Sequence, residues 1–168
     1  GEIKYKQYVD ENEMPAIREL IARDLSEPYS IYTYRYFINS WPNLCWLAYA
    51  DEKLVGVVIS KADNHRGKRL RGYIAMLAVD SNFRKRRIGT NLVSLTIKGM
   101  EIMNADECVL EALINNYGAL RLYGSLGFVR AKRLPKYYLN GLDAYRLKLY
   151  LKDPIHEYQK LISPTIEA

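Results

Sequence analysis

Apolar and polar positions change period several times along the chain, and each change marks a predicted element. Residues 3–9 (IKYKQYV) alternate, which is the period of a strand with one buried face. Over 11–25 (ENEMPAIRELIARDL), Met14, Ile17, Leu20, Ile21 and Leu25 recur on one helical face. A second helix is predicted from Ser30 to Trp41, stopped by Pro42. The runs LCWLAYA (44–50) and LVGVVIS (54–60) flank Asp51-Glu52-Lys53 as a hairpin. HRGKRLRG (65–72) reads as a basic loop, and YIAMLAVD (73–80), apolar on both faces, as a central strand. Ile88, Leu92, Leu95 and Met103 then keep helical spacing. DECVLEALI (106–114) is another central strand, and NYGALRLYGSLG (116–127) a short helix closed by Gly127. FVRAKRL (128–134) and AYRLKLYL (144–151) are the last strands, joined through NGLD (140–143). The order β-α-α-β-β-β-α-β-α-β-β predicts an α/β fold: one mixed seven-stranded sheet flanked by helices, in a single domain over 1–151. Periodicity is lost from Lys152 onward, so 152–168 is expected to be a peripheral or flexible arm.

Composition narrows the function class only a little. A chain of 168 residues with 49% hydrophobic and 26% charged residues is ordinary for a soluble globular protein. No apolar stretch reaches the roughly 20 residues of a membrane span, and no signal-peptide pattern opens the chain. Cys45 and Cys108 lie inside apolar runs and are expected as buried, reduced thiols in an intracellular setting. His65 and His156 are too few and too far apart for a zinc site. The net charge of +6 points to an acidic partner, which could be nucleic acid, an anionic cofactor, or a ribosomal or membrane surface. The chain has fifteen tyrosines, eight of which cluster at 29–36 and 137–150, as two polar-tipped aromatic walls.

The stretch FRKRRIGTNLV (83–93) sharpens the question. Four cations, Arg84, Lys85, Arg86 and Arg87, stand in a row between a central strand and a helix that opens with Ile88-Gly89-Thr90. A basic turn at a helix start can hold phosphate through free backbone N–H groups and the helix dipole. A solvated basic turn and a nucleic-acid patch remain open on the residues alone.

RKRRIGT resembles the Q/R-x-x-G-x-G/A pyrophosphate loop of the GNAT acetyltransferase superfamily. MLAV upstream and NYGALRLYGSLGF downstream match that superfamily's strand and its N-x-x-A-x-x-x-Y…GF signature across 73–128. DLSEPYSIYTYRYFINSWP (24–42), RGYIAMLAVDSNFRKRRIGTNLV (71–93) and YYLNGLDAYRLKL (137–149) are similar to catalytic subunits of the N-terminal acetyltransferase C complex, a likeness over about residues 2–151. The resemblance implies a GNAT-type sheet and acetyl transfer from acetyl-CoA to the α-amine of protein N-termini, with no metal. Substrates beginning Met-Leu, Met-Ile, Met-Phe, Met-Tyr or Met-Trp are implied, as are auxiliary subunits and work on nascent chains at the ribosome in the cytoplasm. A diverged, weakly active fold serving as a binding subunit of such a complex is the alternative.

Residue roles follow from the same resemblance. Glu111 becomes the base and Tyr123 the acid for the leaving thiolate. Read on residues alone, Glu111 is an ionisable group inside the apolar run CVLEALI, a setting that suits a general base, although a solvated strand face is the other reading. Tyr123 also fits a core tyrosine. Acetyl-CoA would be held by the backbone at Leu77, Ala78 and Val79, by 84–90, and by Asn116 and Tyr123; Asn116 also fits a simple helix cap. Glu27, Pro28, Tyr29, Tyr73, Tyr137 and Tyr138 would line the peptide groove. Three departures stand out: Arg87 replaces the first loop glycine, Leu113 the second acid of the family's LETE, and Pro135-Lys136 an aromatic-basic pair.

Overall fold

The computed structural model describes residues 1–25 and 29–152. Glu27, Pro28 and the arm from 153 onward lie outside the described residues. Seven strands form one sheet in the order β1-β2-β3-β4-β5-β7-β6. They are β1 (Ile3–Gln7), β2 (Trp46–Ala50), β3 (Lys53–His65), β4 (Arg69–Val79), β5 (Glu107–Leu113), β6 (Val129–Leu134) and β7 (Ala144–Tyr150). The helices are α1 (Met14–Asp24), α2 (Ile31–Ser40), α3 (Ile88–Ile102) and α4 (Tyr117–Ser125). The element order is the one predicted, and β4 is the middle strand of the seven.

Each sheet face is closed by its own helices. Ile17, Leu20 and Ile21 of α1 and Phe37 and Ile38 of α2 pack on Leu47, Val57, Ile59 and Met76. Ile88, Leu92, Val93 and Met100 of α3 pack on Val55, Val58, Ile74, Cys108 and Leu110, joined by Tyr123 of α4 and by Phe128. Strand alternation divides β4 and β5 between these two layers. Pro15 opens α1, where a missing N–H costs nothing, and Pro42 follows α2 as expected. Gly56 lets α3 sit against the sheet: a Cβ there would stand 2.8 Å from Ile88 Cγ2.

The basic segment 65–72 corrects the loop expectation. β3 and β4 pair without a gap from His65↔Arg69 to Lys61↔Tyr73, and the turn is confined to residues 66–68. Arg66 (φ 55°) and Gly67 (φ 71°) supply the left-handed backbone of that turn. Arg69 and Arg71 belong in a strand because they pair with the buried carboxylate of Glu107 on β5. Cys45 and Cys108 are buried and unbridged, and burial pushes the Cys45 thiol up to about 12.

The seam between β4 and β5 positions the site. Among the described residues these two are the only parallel neighbours, and their ladder runs from Arg71↔Glu107 to Tyr73↔Val109. Beyond it, residues 74–79 of β4 pair with β3 alone while 110–113 of β5 pair with β7 alone. The sheet therefore opens as a V whose walls carry unpaired backbone groups.

Candidate active site

The 84–90 turn sits at the mouth of this V. Asp80 starts it by accepting from the Asn82 amide at 2.9 Å, and Arg84 is tied to Asp24 at the end of α1. Lys85 (φ 63°) and Arg87 (φ 60°) both take the left-handed conformation. Arg87 is the N-cap of α3, and its side chain makes no capping hydrogen bond. Its carbonyl accepts the Asn91 amide at 2.9 Å, so the N–H groups of Ile88, Gly89 and Thr90 have no intrahelical partner. Gly89 is required by packing, since a Cβ would meet Leu122 Cδ1 of α4 at 2.9 Å.

A cleft of about 650 Å³ lies between this turn and α4, lined by Leu77, Val79, Lys85, Arg87, Thr90 and Arg121, among others. Among the described residues, no acid or hydrogen-bond acceptor engages the side chains of Lys85, Arg87 or Arg121. Three cations, free N–H groups and an open strand edge together suit a phosphorylated ligand with a long amide arm, such as acetyl-CoA.

Not every expected residue faces that cleft. The Arg86 side chain turns away, donating to the Gly1 carbonyl at 2.6 Å and stacking over Phe83. Ala78 buries its side chain under α1 and α2 and turns its backbone N–H and C=O toward Val57 of β3, so it is Leu77 and Val79 whose backbone groups face the open edge. Asn116 Oδ1 caps α4 by accepting the Ala119 amide at 3.2 Å, so its NH₂ is the remaining donor toward the cleft. Arg121 was not anticipated, because within GALRLYG a single cation reads as the solvated side of a short helix.

A second cavity of about 280 Å³ continues from the first, sharing Leu77, Asn116 and Ala119 with it and ending at Glu111, Tyr123, Tyr138 and Tyr29. The Glu111 side chain is 6% exposed. Its Oε1 accepts from the Tyr73 hydroxyl at 2.7 Å and the Tyr137 hydroxyl at 3.0 Å. Arg146, its cross-strand neighbour on β7, brings Nε to 3.5 Å from Oε2. The Tyr138 hydroxyl donates to the Glu111 carbonyl at 3.3 Å and its ring meets Tyr137 edge-on.

Burial and then the Glu111 charge push the Tyr73 hydroxyl far above the usual phenol range, and push Tyr137 up to about 12. Both remain proton donors at neutral pH. Tyr123 is buried against Phe128, and burial raises its hydroxyl strongly. Leu113 lines the same cavity as an apolar surface where the resemblance expected a second acid. The loop carrying Tyr137 and Tyr138 is held by Asp143, which accepts from the Lys136 amide at 2.8 Å and from Arg133 Nε at 2.9 Å. Among the described residues no cluster of His, Cys, Asp and Glu could hold a metal ion.

Comparison with known proteins agrees with this geometry. The Acetyltransferase (GNAT) family model matches residues 14–128. The chain is 58% identical over 150 residues to human N-alpha-acetyltransferase 30, covering 89% of this chain and 41% of the human protein. It is 52% identical to N-alpha-acetyltransferase MAK3 of Arabidopsis thaliana, covering 92% of this chain and 80% of that one. With N-alpha-acetyltransferase 30 of Saccharomyces cerevisiae the identity is 46%, covering 90% of each chain. Among solved structures, a chain of the NatC complex bound to Gag peptide and CoA superposes with a TM-score of 0.88 at 45% identity, covering 90% of this chain and all of that one. The chain thus spans less than half of the human relative but most of the plant and yeast ones, and it belongs to the GNAT acetyltransferase family, in the branch of N-alpha-acetyltransferase 30.

Proposed function

We propose that the chain is the catalytic subunit of an N-terminal acetyltransferase C complex and transfers acetyl groups from acetyl-CoA to the α-amine of proteins. The carrying observation is the continuous cleft from the left-handed basic turn, through the open β4–β5 seam, to a buried carboxylate under two phenols. Acetyl-CoA, when bound, supplies a thioester whose carbonyl carbon is open to attack by an amine. The 84–90 turn with Arg121 holds its phosphates, and the strand edge at 77–79 meets its amide arm and acetyl carbonyl.

The chain's own groups then manage protons. An α-amine with a pKa near 8 is only about a tenth neutral at pH 7. Glu111 collects its proton, through a water, at Oε2, since Oε1 already accepts two phenols. Tyr123 remains a neutral phenol and donates toward the departing sulfur. Tyr29 and Tyr138 wall the space for a Met side chain, and the Tyr73 and Tyr137 hydroxyls suit peptide backbone groups. Leu113 adds apolar surface, which favours a hydrophobic second residue.

The same reading assigns auxiliary subunits, nascent chains at the ribosome and a cytoplasmic site of action. It is tested by incubating the chain with acetyl-CoA and Met-Leu, Met-Ile, Ser- and Ala-starting peptides. Faster acetylation of the first two is expected, by more than tenfold, because a well-buried aliphatic side chain is worth about 1.5–3 kcal/mol. Comparable rates on Ser-starting peptides would defeat the substrate class. Binding of acetyl-CoA with no turnover on any peptide would favour a diverged binding subunit.

A further inference from the structure

Four residues outside the cleft form an ordered charge cluster. Glu107, only 1% exposed, accepts from Arg71 Nε at 2.7 Å and Arg69 Nη1 at 3.1 Å, with Lys148 Nζ at 3.8 Å. One buried carboxylate thus holds three cations, and an excess of two positive charges faces outward. Arg69 is half exposed, while Arg71 and Lys148 keep a fifth of their side chains in solvent. The local potential acts on His65 next to Arg69: desolvation and then Arg71 and Arg66 hold its imidazole below the usual range, against the pull of Glu107.

The cluster shares a sheet face with the candidate base. Arg69, Arg71 and Tyr73 alternate on β4, and Glu107, Val109 and Glu111 on β5. On β7, Arg146 stands opposite Glu111 and Lys148 opposite Val109. At about 3.3 Å per residue, Arg71 lies about 7 Å along the strand from Tyr73 and Arg69 about 13 Å. An extended peptide with its amine at Glu111, running over this face, brings its third to fifth residues above the cations.

We propose that Arg69, Arg71 and Lys148, organised by Glu107, extend the peptide groove and select acidic side chains at the third to fifth positions of the substrate. The proposal rests on the acetyltransferase reading above and adds a preference to it. Isolated carboxylates suit this face better than a nucleic-acid backbone does. The acids Asp63, Glu107 and Glu111 are interspersed on it, and a run of phosphates would pass over them.

The test compares Met-Leu peptides that differ only at positions three to five, with Asp-Asp-Glu, Ser-Ser-Gln or Lys-Lys-Lys. With the full chain at low salt, KM should be about 3–10-fold lower for the acidic peptide than for the neutral one, and highest for the basic one. The spread should shrink at 0.5 M salt, where exposed charges are screened over about 4 Å. Arg69→Ser combined with Lys148→Ser should narrow it with kcat unchanged, while Arg69→Lys should preserve it. Equal KM values at low salt, or a spread that survives the double substitution, overturn the proposal. So does salt-sensitive retention of an RNA oligomer that needs these two residues, with no discrimination among the peptides. If no peptide is acetylated, the function above fails instead. Fluorescence anisotropy of the three labelled peptides then decides the charge preference by itself, and equal affinities overturn it.

Discussion

Glu111 has one oxygen under two phenols and the other beside a guanidinium, so its replacement removes one proton acceptor from a crowded site. Glu111→Gln should lower kcat by roughly 10²–10⁴-fold, the usual worth of general-base help. Part of that loss should return at high pH, where the amine is already neutral. Tyr123→Phe should behave oppositely, its deficit persisting or growing at high pH, because leaving-group protonation is harder there. A pH–rate series on both variants checks this; parallel losses at every pH would make the two residues positioning groups. The burial of Glu111 was legible in the sequence because an acid inside CVLEALI is anomalous. Arg146 was not: in AYRLKLYL it alternates like any solvated strand residue, and only the β5–β7 register brings it to Glu111.

At the scale of elements, the turn before α3 combines two opposing effects. Arg87 holds φ 60°, a conformation that costs a side-chain-bearing residue about 1–2 kcal/mol. Its uncommitted cation lines the basic end of the cleft. Arg87→Gly should therefore raise the unliganded chain's unfolding free energy by up to about 1 kcal/mol in urea, after the entropy cost of glycine. It should at the same time weaken acetyl-CoA. Opposite signs in the two measurements would identify the guanidinium as a phosphate ligand, and tighter binding would show that strain dominates. Gly89→Ala acts differently, since its methyl group would press on Leu122. A loss of about 1–3 kcal/mol in stability, with weaker acetyl-CoA binding, is expected from that overpacking. The strand-turn-helix order here was readable from period and glycine placement. The basic hairpin at 65–72 was misread because a run of cations looks like solvent-exposed loop until its buried counter-ion, 36 residues away, is known.

For the whole molecule, acid sensitivity follows from three aspartates spread across the fold. The Asn82 amide, with Lys53 assisting, holds Asp80 below the usual carboxylate range, and the Lys136 amide and then Arg133 do the same for Asp143. For Asp106 burial acts the other way, but the Leu70 amide and Lys152 prevail. Groups depressed on folding contribute stability above their unfolded values, near 3.9, and lose it as pH falls through the folded ones. Melting temperature should accordingly fall steeply below about pH 4, after at most a shallow decline that starts near pH 6.5, where the unfolded chain takes up a proton that His65, held below its usual range, resists. A steep decline that begins above about pH 5 would assign the acid transition to other groups.

The three-residue β4–β5 ladder has a mechanical consequence for the molecule. β1 to β4 and β5 to β7 are two stiff plates, each internally laced by long antiparallel ladders and joined edge to edge by a short seam. A seam this short should be the compliant axis of the sheet, with thermal bending concentrated there. The Glu107 cluster works as a rivet at its closed end, and the Tyr73 hydroxyl on Glu111 is a single, lighter tie where the plates begin to part. A ligand wedged between the plates would damp their relative rocking. Amide exchange should then slow in β7 and β6 as well as in the strands beside the wedge, so that a binding event at one helix start is felt at the far edge of the sheet.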